Sequence, residues 1–443
     1  MEYSKRMSEV SVLGAAGKMG SGILLLLAKE LYDLSQKDEN SGIEFKLNAI
    51  DLSKEALQGV MKYVEKQTRR AAEKRPEKIE PYFKGQNLSV EDMICSYVSG
   101  VLSLIRSSTE LSDIKESSLV FEAASEDKDL KVRLLSEIDK INDNSPWFLT
   151  NTSSIPIQYI DENSKLGGRV VGFHFYNPPA VQKLVELIST ENTKPEVVEL
   201  ANTLAARLRK VIVPSNDIAG FIGNGHFMRD ALFGISEVER LEDEMGFVEA
   251  VLLINTVSQK FLIRPMGIFQ LCDYVGLDVV QFILQVMQSY MKEEVLSSRM
   301  LDKMVSLGVK GGQNSDGSQK DGFLKYEEGR ITGVYNILTG LYVDLSTIKN
   351  PVNEKLGPLP SNYKPWKEIL SDPDKGKTLE NIFSELKTIE SLGSELAIKY
   401  GLNSKHIGLK LVADKVANSE DDVNKVLLTG FYHAYGPINS YFD

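Results

Sequence analysis

The sequence contains few cysteines, no long apolar run and no excess of positive charge. Only two cysteines, Cys95 and Cys272, occur in 443 residues, and their spacing fits neither a metal site nor a disulfide framework. We therefore expect no bound metal and a reducing compartment. The longest apolar run, Ile23–Ala28, is far shorter than a bilayer is thick, so no transmembrane helix is predicted.

The acidic balance of the chain limits its partners. The formal net charge is −11 at pH 7, and the isoelectric point is about 5.2. Nucleic acid and anionic membranes are themselves negative, so neither is expected as the main partner. The first ten residues lack the apolar core of a signal peptide, and the last five carry no targeting tripeptide. These features predict a cytoplasmic protein.

A glycine-rich turn near the N-terminus lies between an expected strand, Val10–Leu13, and an apolar helix, Ile23–Leu34. Glycines let the backbone approach a pyrophosphate, and a helix N-terminus offers it amide groups and partial positive charge. The arrangement predicts a dinucleotide-binding turn. The residues assigned to it are Gly14, Gly17, Lys18, Met19 and Gly20.

An acidic residue ends the next expected strand. Asp51 follows Glu44–Ile50, where a carboxylate accepts hydrogen bonds from both ribose hydroxyls and repels a 2′-phosphate. This position favours NAD over NADP as the cofactor. An N-cap for the helix that begins near Ser53 is the structural alternative, and the two roles are compatible.

A histidine and a glutamate stand in two short β-branched runs further along the chain. The runs Val170–Phe175 and Leu184–Ile188 have strand length, and two adjacent prolines between them require a loop. A returning strand of this kind brings His174 close to Glu186. An imidazole beside a carboxylate is suited to general-base chemistry, whereas the bland alternative is a core histidine and a surface glutamate.

Strands alternate with helices up to about residue 214, and helices dominate from Asp217 onward. This order predicts an α/β fold, a Rossmann-like, doubly wound parallel sheet followed by one or more all-α domains. The expected domains are residues 1–214 for nucleotide binding, 215–335 for a helical domain, and 336–443 for a linker and a second helical part. The segment Pro351–Pro373, where prolines concentrate, is predicted as a linker or a wrapping arm.

The segment Arg169–Ser189 resembles the signature of the 3-hydroxyacyl-CoA dehydrogenase family, and further segments resemble that family in the same order. They are the glycine turn, Leu119–Lys131, Trp147–Ser154, Asp217–Asn224, Arg264–Asp278 and Gly311–Tyr326. The resemblance implies an NAD-binding Rossmann domain, a helical C-terminal domain and reversible, NAD-dependent oxidation of (S)-3-hydroxyacyl-CoA. It also implies an acyl-CoA as the small-molecule substrate.

The resemblance assigns catalytic roles to four residues. His174 and Glu186 correspond to the family's catalytic dyad. Ser153 and Asn224 correspond to residues that hydrogen-bond the substrate. A helix N-cap is the structural alternative for Ser153.

Three further residues receive binding roles from the same resemblance. Glu122 is expected to border the nicotinamide, with Lys131 beside it at the cofactor. Lys62 corresponds to a lysine that contacts coenzyme A, and it begins a basic stripe that extends to Arg70 on one helix face. The alternative for the stripe is a solvated face paired with neighbouring glutamates, Glu65 and Glu73.

The chain departs from the family pattern at several points. Its glycine turn is one residue longer, and Gly225 stands where the family has an arginine, for which Arg229 is a candidate substitute. His226 is expected to be a helix-face residue rather than a catalytic one. Near the C-terminus, Val412–Pro437 resembles Val238–Gly267, which predicts a degenerate second helical copy and either a monomeric pseudo-dimer or a homodimer.

Three other functions remain compatible with these patterns. One is a dehydrogenase of a small hydroxy acid without coenzyme A, of the carnitine or gulonate type. A second is a non-catalytic protein that binds NAD or acyl-CoA, which the altered turn and Gly225 favour. A third is a scaffold subunit that assembles through its C-terminal copy.

Overall fold

The computed structural model describes residues 3–314 and 317–443. The chain divides into two compact units, Met1–Asp217 and Ile218–Asp443. Each unit has its own hydrophobic core.

The described part of the first unit is built on an eight-stranded sheet with the order β3-β2-β1-β4-β5-β6-β7-β8. The strands are β1 (Glu9–Leu13), β2 (Lys46–Ile50), β3 (Ile105–Ser108), β4 (Leu119–Glu122), β5 (Trp147–Thr150), β6 (Val170–Phe175), β7 (Leu184–Ile188) and β8 (Val211–Ser215). All neighbouring strands are parallel except β6 and β7, which are antiparallel. The predicted α/β, Rossmann-like fold class is confirmed.

Helices connect these strands. They are α1 (Tyr3–Arg6), α2 (Lys18–Ser35), α3 (Lys54–Lys74), α4 (Val90–Ser103), α5 (Lys128–Ile141), α6 (Ile157–Ser164) and α7 (Pro195–Arg207). The sequence explains their environments, since α2 is apolar on most of its circumference and is largely buried, whereas α3 buries one stripe of mainly apolar residues.

The central strands of the sheet are buried along their whole length. Every residue of β4, β6 and β7 is buried, as expected for strands covered on both faces. A few ionisable side chains share this environment, and they are the ones that need partners: Glu122, Lys131, His174 and Glu186.

The second unit is mainly helical. Its helices are α8 (Phe221–Met245), α9 (Phe247–Thr256), α10 (Ile268–Val275), α11 (Leu277–Tyr290), α12 (Arg299–Ser306), α13 (Leu345–Leu356), α14 (Trp366–Ser371), α15 (Lys375–Leu386), α16 (Leu392–Ala413) and α17 (Glu420–Gly430). In the described part of the chain, no helix alone is long and apolar enough to cross a membrane. The pair formed by α10 and α11 meets those criteria only together, with a bend of 92°.

A small antiparallel sheet in the second unit was not predicted. Its strands are β9 (Leu324–Glu327), β10 (Arg330–Asn336) and β11 (Leu341–Asp344), in the order β11-β10-β9. They are short, and β9 and β11 are largely solvent-accessible, so the sequence carries only a weak alternating signal. The flexible polar loop predicted at Gly311–Gly322 lies partly outside the described residues.

The segment Pro351–Pro373, predicted as a linker or a wrapping arm, is partly helical. The segment contains the whole of α14 and the second half of α13, with Pro351 inside the latter helix. Ile348, Val352 and Leu356 are spaced by four residues and are buried in the core of the second unit. Burial of that apolar stripe stabilises α13 by more than the proline destabilises it.

A buried polar network joins α8 to α16. His226, predicted to lie on a helix face, is buried, and its Nε2 lies 3.2 Å from both the carbonyl and the hydroxyl oxygen of Ser404. Burial lowers the pKa of His226 to about 4. Arg264 donates to Asp230 at 2.6 Å and to the Ser404 hydroxyl at 3.1 Å. These contacts give His226 a structural role. The second helical copy predicted at Val412–Pro437 stays a prediction.

Candidate active site

The histidine and glutamate singled out from the sequence face each other across β6 and β7. His174 is the direct register partner of Glu186 in the antiparallel ladder. The imidazole Nδ1 lies 3.2 Å from Oε1 of Glu186. The side chains are 9% and 0% exposed, so the bland alternative of a surface glutamate is wrong. A carboxylate at Nδ1 selects the tautomer in which Nε2 carries no proton and can act as the base.

Tyr176 is a third member of this group that sequence reasoning missed. Its hydroxyl donates to the same oxygen of Glu186, over 2.7 Å. Its ring centroid lies 5.0 Å from that of His174. Burial, and then the neighbouring Glu186, raise the pKa of Tyr176 well above its ordinary value. Its spacing of two residues from His174 was the available signal, because alternate residues of a strand face the same side.

The loop between the two strands is held by a half-buried lysine. Lys210 donates to the carbonyl oxygens of Pro179 and Gln182 at 2.5 and 2.6 Å. Burial lowers the pKa of Lys210 to about 8. A Cβ at Gly22 of α2 would lie 2.9 Å from Cδ of Pro179, so α2 packs closely on this loop. The loop is therefore a fixed part of the site.

Ser153 lies in a hydroxyl cluster organised by Glu126. Oε1 of Glu126 accepts from the amide of Ser153 at 2.8 Å, from its hydroxyl at 3.3 Å, and from the hydroxyl of Thr152 at 2.6 Å. Although burial opposes it, the ammonium of Lys131 and these hydrogen bonds lower the pKa of Glu126. Glu126 was not among the predicted residues, although it stands at the end of the segment that suggested Glu122.

The helix-cap alternative for Ser153 is not observed. The next helix, α6, begins at Ile157, and its first amides are capped by Asp217 instead. The two carboxylate oxygens accept from the amides of Ile157 and Gln158 at 2.5 and 2.7 Å. Ser153 is therefore not the N-cap of α6, and it follows the carboxyl end of β5.

Glu122 and Lys131 form a buried ion pair, and their predicted roles at the cofactor stay predictions. The Glu122 carboxylate is fully buried and accepts from the ammonium of Lys131 at 2.8 Å and the hydroxyl of Thr150 at 2.5 Å. Lys131 is only 1% exposed and also pairs with Glu126 at 3.3 Å. Both side chains brace the loop after β4 from within. Glu126, with a 24% exposed side chain, is the carboxylate that this edge leaves accessible to a ligand.

The glycine turn forms a cradle that fits a dinucleotide. A Cβ at Gly20 would lie 2.0 Å from the carbonyl oxygen of Gly14, and one at Gly14 would lie 2.5 Å from that of Ala123. Gly14 also has a φ of +67°. Helix α2 begins directly after Gly17, with Lys18 and Met19 in its first turn and no side-chain cap on its N-terminus. The N-terminus of a helix beside a glycine cradle is suited to a pyrophosphate.

Asp51 fastens the lengthened turn to β2. One of its oxygens accepts from the amide of Ala16 at 2.9 Å and the other from that of Leu52 at 2.8 Å. The N-cap of α3 is Ser53, whose hydroxyl accepts from the amide of Ala56 at 3.1 Å. Asp51 is thus not the cap. It sits at the end of β2, beside the glycine cradle, where a dinucleotide ribose is expected.

Lys62 lines an open surface pocket of about 590 Å³ at α3. Lys54 and Glu65 line the same pocket, together with the end of β3 at Ser107–Thr109. Within the basic stripe, Arg69 forms an ion pair with Glu91 of α4, at 2.9 Å, rather than with Glu65 or Glu73.

Asn224 lies in the first turn of α8, in the second unit. Beside it, the carbonyl of Gly225 accepts from Arg229 at 2.7 Å, and Arg229 also binds Glu294 at 2.8 and 2.9 Å. The predicted substrate contact of Asn224 and the substitution by Arg229 stay predictions. Among residues 3–314 and 317–443, no group of three or more potential metal-ligating side chains was found.

Within the first unit, the loops after β1, β4 and β5 and the end of β6 meet at one edge of the sheet. The amide of Phe175 donates to Asn151 at 2.9 Å, which ties β6 to the loop that carries Ser153. A dinucleotide cradle beside a buried His–Glu pair, at the carboxyl edge of a parallel sheet, defines a nicotinamide-dependent oxidoreductase.

Comparison with known proteins narrows this class. Residues 9–218 match the family described as 3-hydroxyacyl-CoA dehydrogenase, NAD binding domain, and residues 248–321 match its C-terminal domain. A 3-hydroxybutyryl-CoA dehydrogenase of Mycobacterium tuberculosis is 33% identical over 222 residues, covering 49% of this chain and 74% of the relative. A probable 3-hydroxyacyl-CoA dehydrogenase of Caenorhabditis elegans is 27% identical over 318 residues, covering 71% and 93%.

A solved structure shows the same fold over nearly the whole length. The crystal structure of 3-hydroxybutyryl-CoA dehydrogenase from Escherichia coli aligns with a TM-score of 0.64 at 21% identity, covering 98% of this chain and 90% of that one. The chain belongs to the 3-hydroxyacyl-CoA dehydrogenase family and is an NAD-dependent oxidoreductase of that type.

The glycine cradle gives a first testable prediction. Gly20→Ala is expected to weaken NADH binding by at least about tenfold, because the new methyl group overlaps the Gly14 carbonyl and displaces the turn. Binding is measured by NADH fluorescence on protein whose folding is checked by its melting temperature. Gly59→Ala in α3, where no neighbouring atom lies within 4 Å, is the matched control and should bind normally. Unchanged affinity in folded Gly20→Ala would refute the cradle.

Proposed function

We propose that this protein oxidises (S)-3-hydroxyacyl-CoA to 3-oxoacyl-CoA reversibly, with His174 as the general base. The observation that carries the proposal is the buried hydrogen bond between His174 and Glu186 beside the glycine cradle. Bound NAD supplies the acceptor for the hydride that leaves the substrate carbon. The residues of the chain have to bind the thioester, orient its hydroxyl and move one proton.

Proton transfer is the task of the imidazole. Nε2 of His174 takes the proton of the 3-hydroxyl as the carbon–hydrogen bond breaks and the hydride departs. Glu186 holds Nδ1, so the ring is fixed in orientation and its positive charge is stabilised. In the reductive direction, the same imidazolium returns the proton to the oxygen of the 3-oxo group.

Substrate oxygen binding is assigned to Ser153 and Asn224. Ser153 is positioned by Glu126, which accepts from its amide and its hydroxyl. The Ser153 hydroxyl has a single proton, which has to turn from Glu126, 3.3 Å away, to the reacting oxygen in order to stabilise the charge that develops there. The assignment of Asn224 rests on the sequence resemblance alone.

Coenzyme A recognition is assigned to Lys62. We expect Lys62→Ala to raise KM for acetoacetyl-CoA about three- to tenfold with little change in kcat, because it removes one exposed cation from a phosphate-binding surface. The effect should shrink at high salt. Lys66→Ala, one turn further along the exposed face of α3 and outside the pocket, is the matched control. Equal KM values in both variants and the wild type would refute this role.

A carnitine- or gulonate-type activity, without coenzyme A, is the second candidate. Turnover of the free hydroxy acid, unaffected by Lys62→Ala, would favour it. We also propose a cytoplasmic location and a monomeric pseudo-dimer or homodimer. Gel filtration with light scattering of the full chain tests the oligomeric state.

A further inference from the structure

The oxygen of Glu186 that faces His174 has a second donor. Oε1 accepts the hydroxyl of Tyr176 at 2.7 Å and lies 3.2 Å from Nδ1 of His174. His174 and Tyr176 are two residues apart, on the same side of the chain, and Glu186 lies opposite on β7. One fully buried carboxylate oxygen therefore receives the imidazole and the phenol together.

The phenol stays a donor over the whole working pH range. Burial and the adjacent carboxylate raise the pKa of Tyr176 well above its ordinary value. The hydroxyl hence keeps its proton and keeps donating to Glu186. A donor to an anion of this kind forms a charge-assisted bond, which is about twice as strong as a neutral one.

The strands on either side of the His174–Glu186 pair place uncharged groups beside it. Val213 of β8 is the register partner of Glu186, and Asn151, after β5, accepts from the amide of Phe175. The ionisable side chains near this pair interact with other groups. They are Lys210, which donates to the carbonyls of Pro179 and Gln182, and Glu126 with Lys131, which brace the hydroxyl cluster.

We propose that Tyr176 is a positioning residue that sets the protonation midpoint of His174 by sharing the negative charge of Glu186. The inference rests on the proposed role of His174 in the reaction. The phenol draws part of the charge of Oε1 toward itself, so less of that charge stabilises the imidazolium. His174 is thereby a weaker base than a two-membered His–Glu pair would make it, and it is neutral, ready to accept a proton, at lower pH.

Tyr176→Phe removes only the hydroxyl and tests this idea. In this variant the full carboxylate charge faces the imidazole and stabilises its protonated form. We therefore expect a higher midpoint, by about 0.5 to 1 pH unit, for the acidic limb of the kcat/KM profile of hydroxyacyl-CoA oxidation. Tyr82→Phe is the matched control, since it removes a phenol that donates to another carboxylate, Asp33, at 2.9 Å. That variant should leave the midpoint unchanged.

A second measurement does not depend on turnover. The chain has four histidines, so selective isotope labelling gives four imidazole signals, and His174→Gln identifies the one of interest. The NMR titration of that signal should show the same upward shift in Tyr176→Phe. In a Glu186→Gln background, the added Tyr176→Phe change should have no effect, because the shared charge is already absent.

Three results would overturn the proposal: an unchanged midpoint, a lower midpoint, or the same shift in the Glu186→Gln background. The last would mean that Tyr176 acts on the imidazole directly, since the two rings lie 5.0 Å apart. Failure of the proposed reaction is distinguishable from these results. Wild-type protein would then lack turnover, while the NMR titration would still report the coupling.

Discussion

His174→Ala is expected to lower turnover of acetoacetyl-CoA by about 10²- to 10⁴-fold, the usual contribution of a positioned general acid–base. The imidazole stands opposite Glu186 inside the sheet and has no neighbour of similar chemistry on β6 or β7. NADH affinity should remain within about twofold, since the glycine cradle and Asp51 lie on other strands. Steady-state kinetics and NADH titration by fluorescence measure both quantities.

The matched control for this change is His406→Ala. His406 is an exposed histidine of α16 in the second unit, so its loss should leave turnover unaltered. Turnover of His174→Ala close to that of the wild type would show that another group moves the proton. Loss of NADH binding together with turnover would indicate structural damage instead of lost chemistry.

Glu186→Gln is expected to lower kcat by about 10- to 100-fold with a nearly normal KM, because the amide keeps the shape of the carboxylate but not its charge. The imidazolium that forms during hydroxyacyl oxidation then lacks its stabilising partner in a site with 0% exposure. The acidic limb of the pH profile should therefore move to lower pH. Profiles of kcat/KM between pH 5 and 10, which bracket the ordinary range of histidine, test this.

A second glutamate offers a control for that experiment. Glu191, exposed just beyond β7, can be changed to glutamine without touching the buried pair. We expect wild-type kinetics from Glu191→Gln. A wild-type pH profile in Glu186→Gln would contradict the assigned role of the carboxylate.

Much of the first unit was predictable because its strands are buried and apolar. The bounds of β6 and β7 agree with the two β-branched runs, and the antiparallel return between them follows from the prolines that force a loop. The pairing of His174 with Glu186 follows from those two facts. Strand β3 was missed, since two of its four residues are exposed and it carries no continuous apolar run.

The second unit was harder to predict for physical reasons. Proline argues against a helix in local terms, yet Ile348 and Val352 reach the core and stabilise α13 through tertiary packing. The strands β9 and β11 are short and half-exposed, so their pattern is close to that of a loop. Burial of His226 depends on its contact with Ser404, which lies 178 residues further along the chain.

Within the site, sequence reasoning missed Glu126 and Tyr176, whose roles depend on which side chains the fold buries. Glu122 and Glu126 lie four residues apart around the end of β4, and the sequence does not show which carboxylate faces inward. The structure buries Glu122 on Lys131 and leaves Glu126 to organise Ser153. Tyr176 was missed because an aromatic residue at a strand end is usually a core residue, whereas here its hydroxyl reaches Glu186.

The most direct test of the account is oxidation of NADH by the purified protein, followed at 340 nm, with acetoacetyl-CoA or free acetoacetate as substrate. We expect turnover of the thioester that is lost in His174→Ala, and little or no turnover of the free acid. Rapid turnover of free acetoacetate, or no turnover of the thioester by protein that binds NADH, would contradict the proposed reaction.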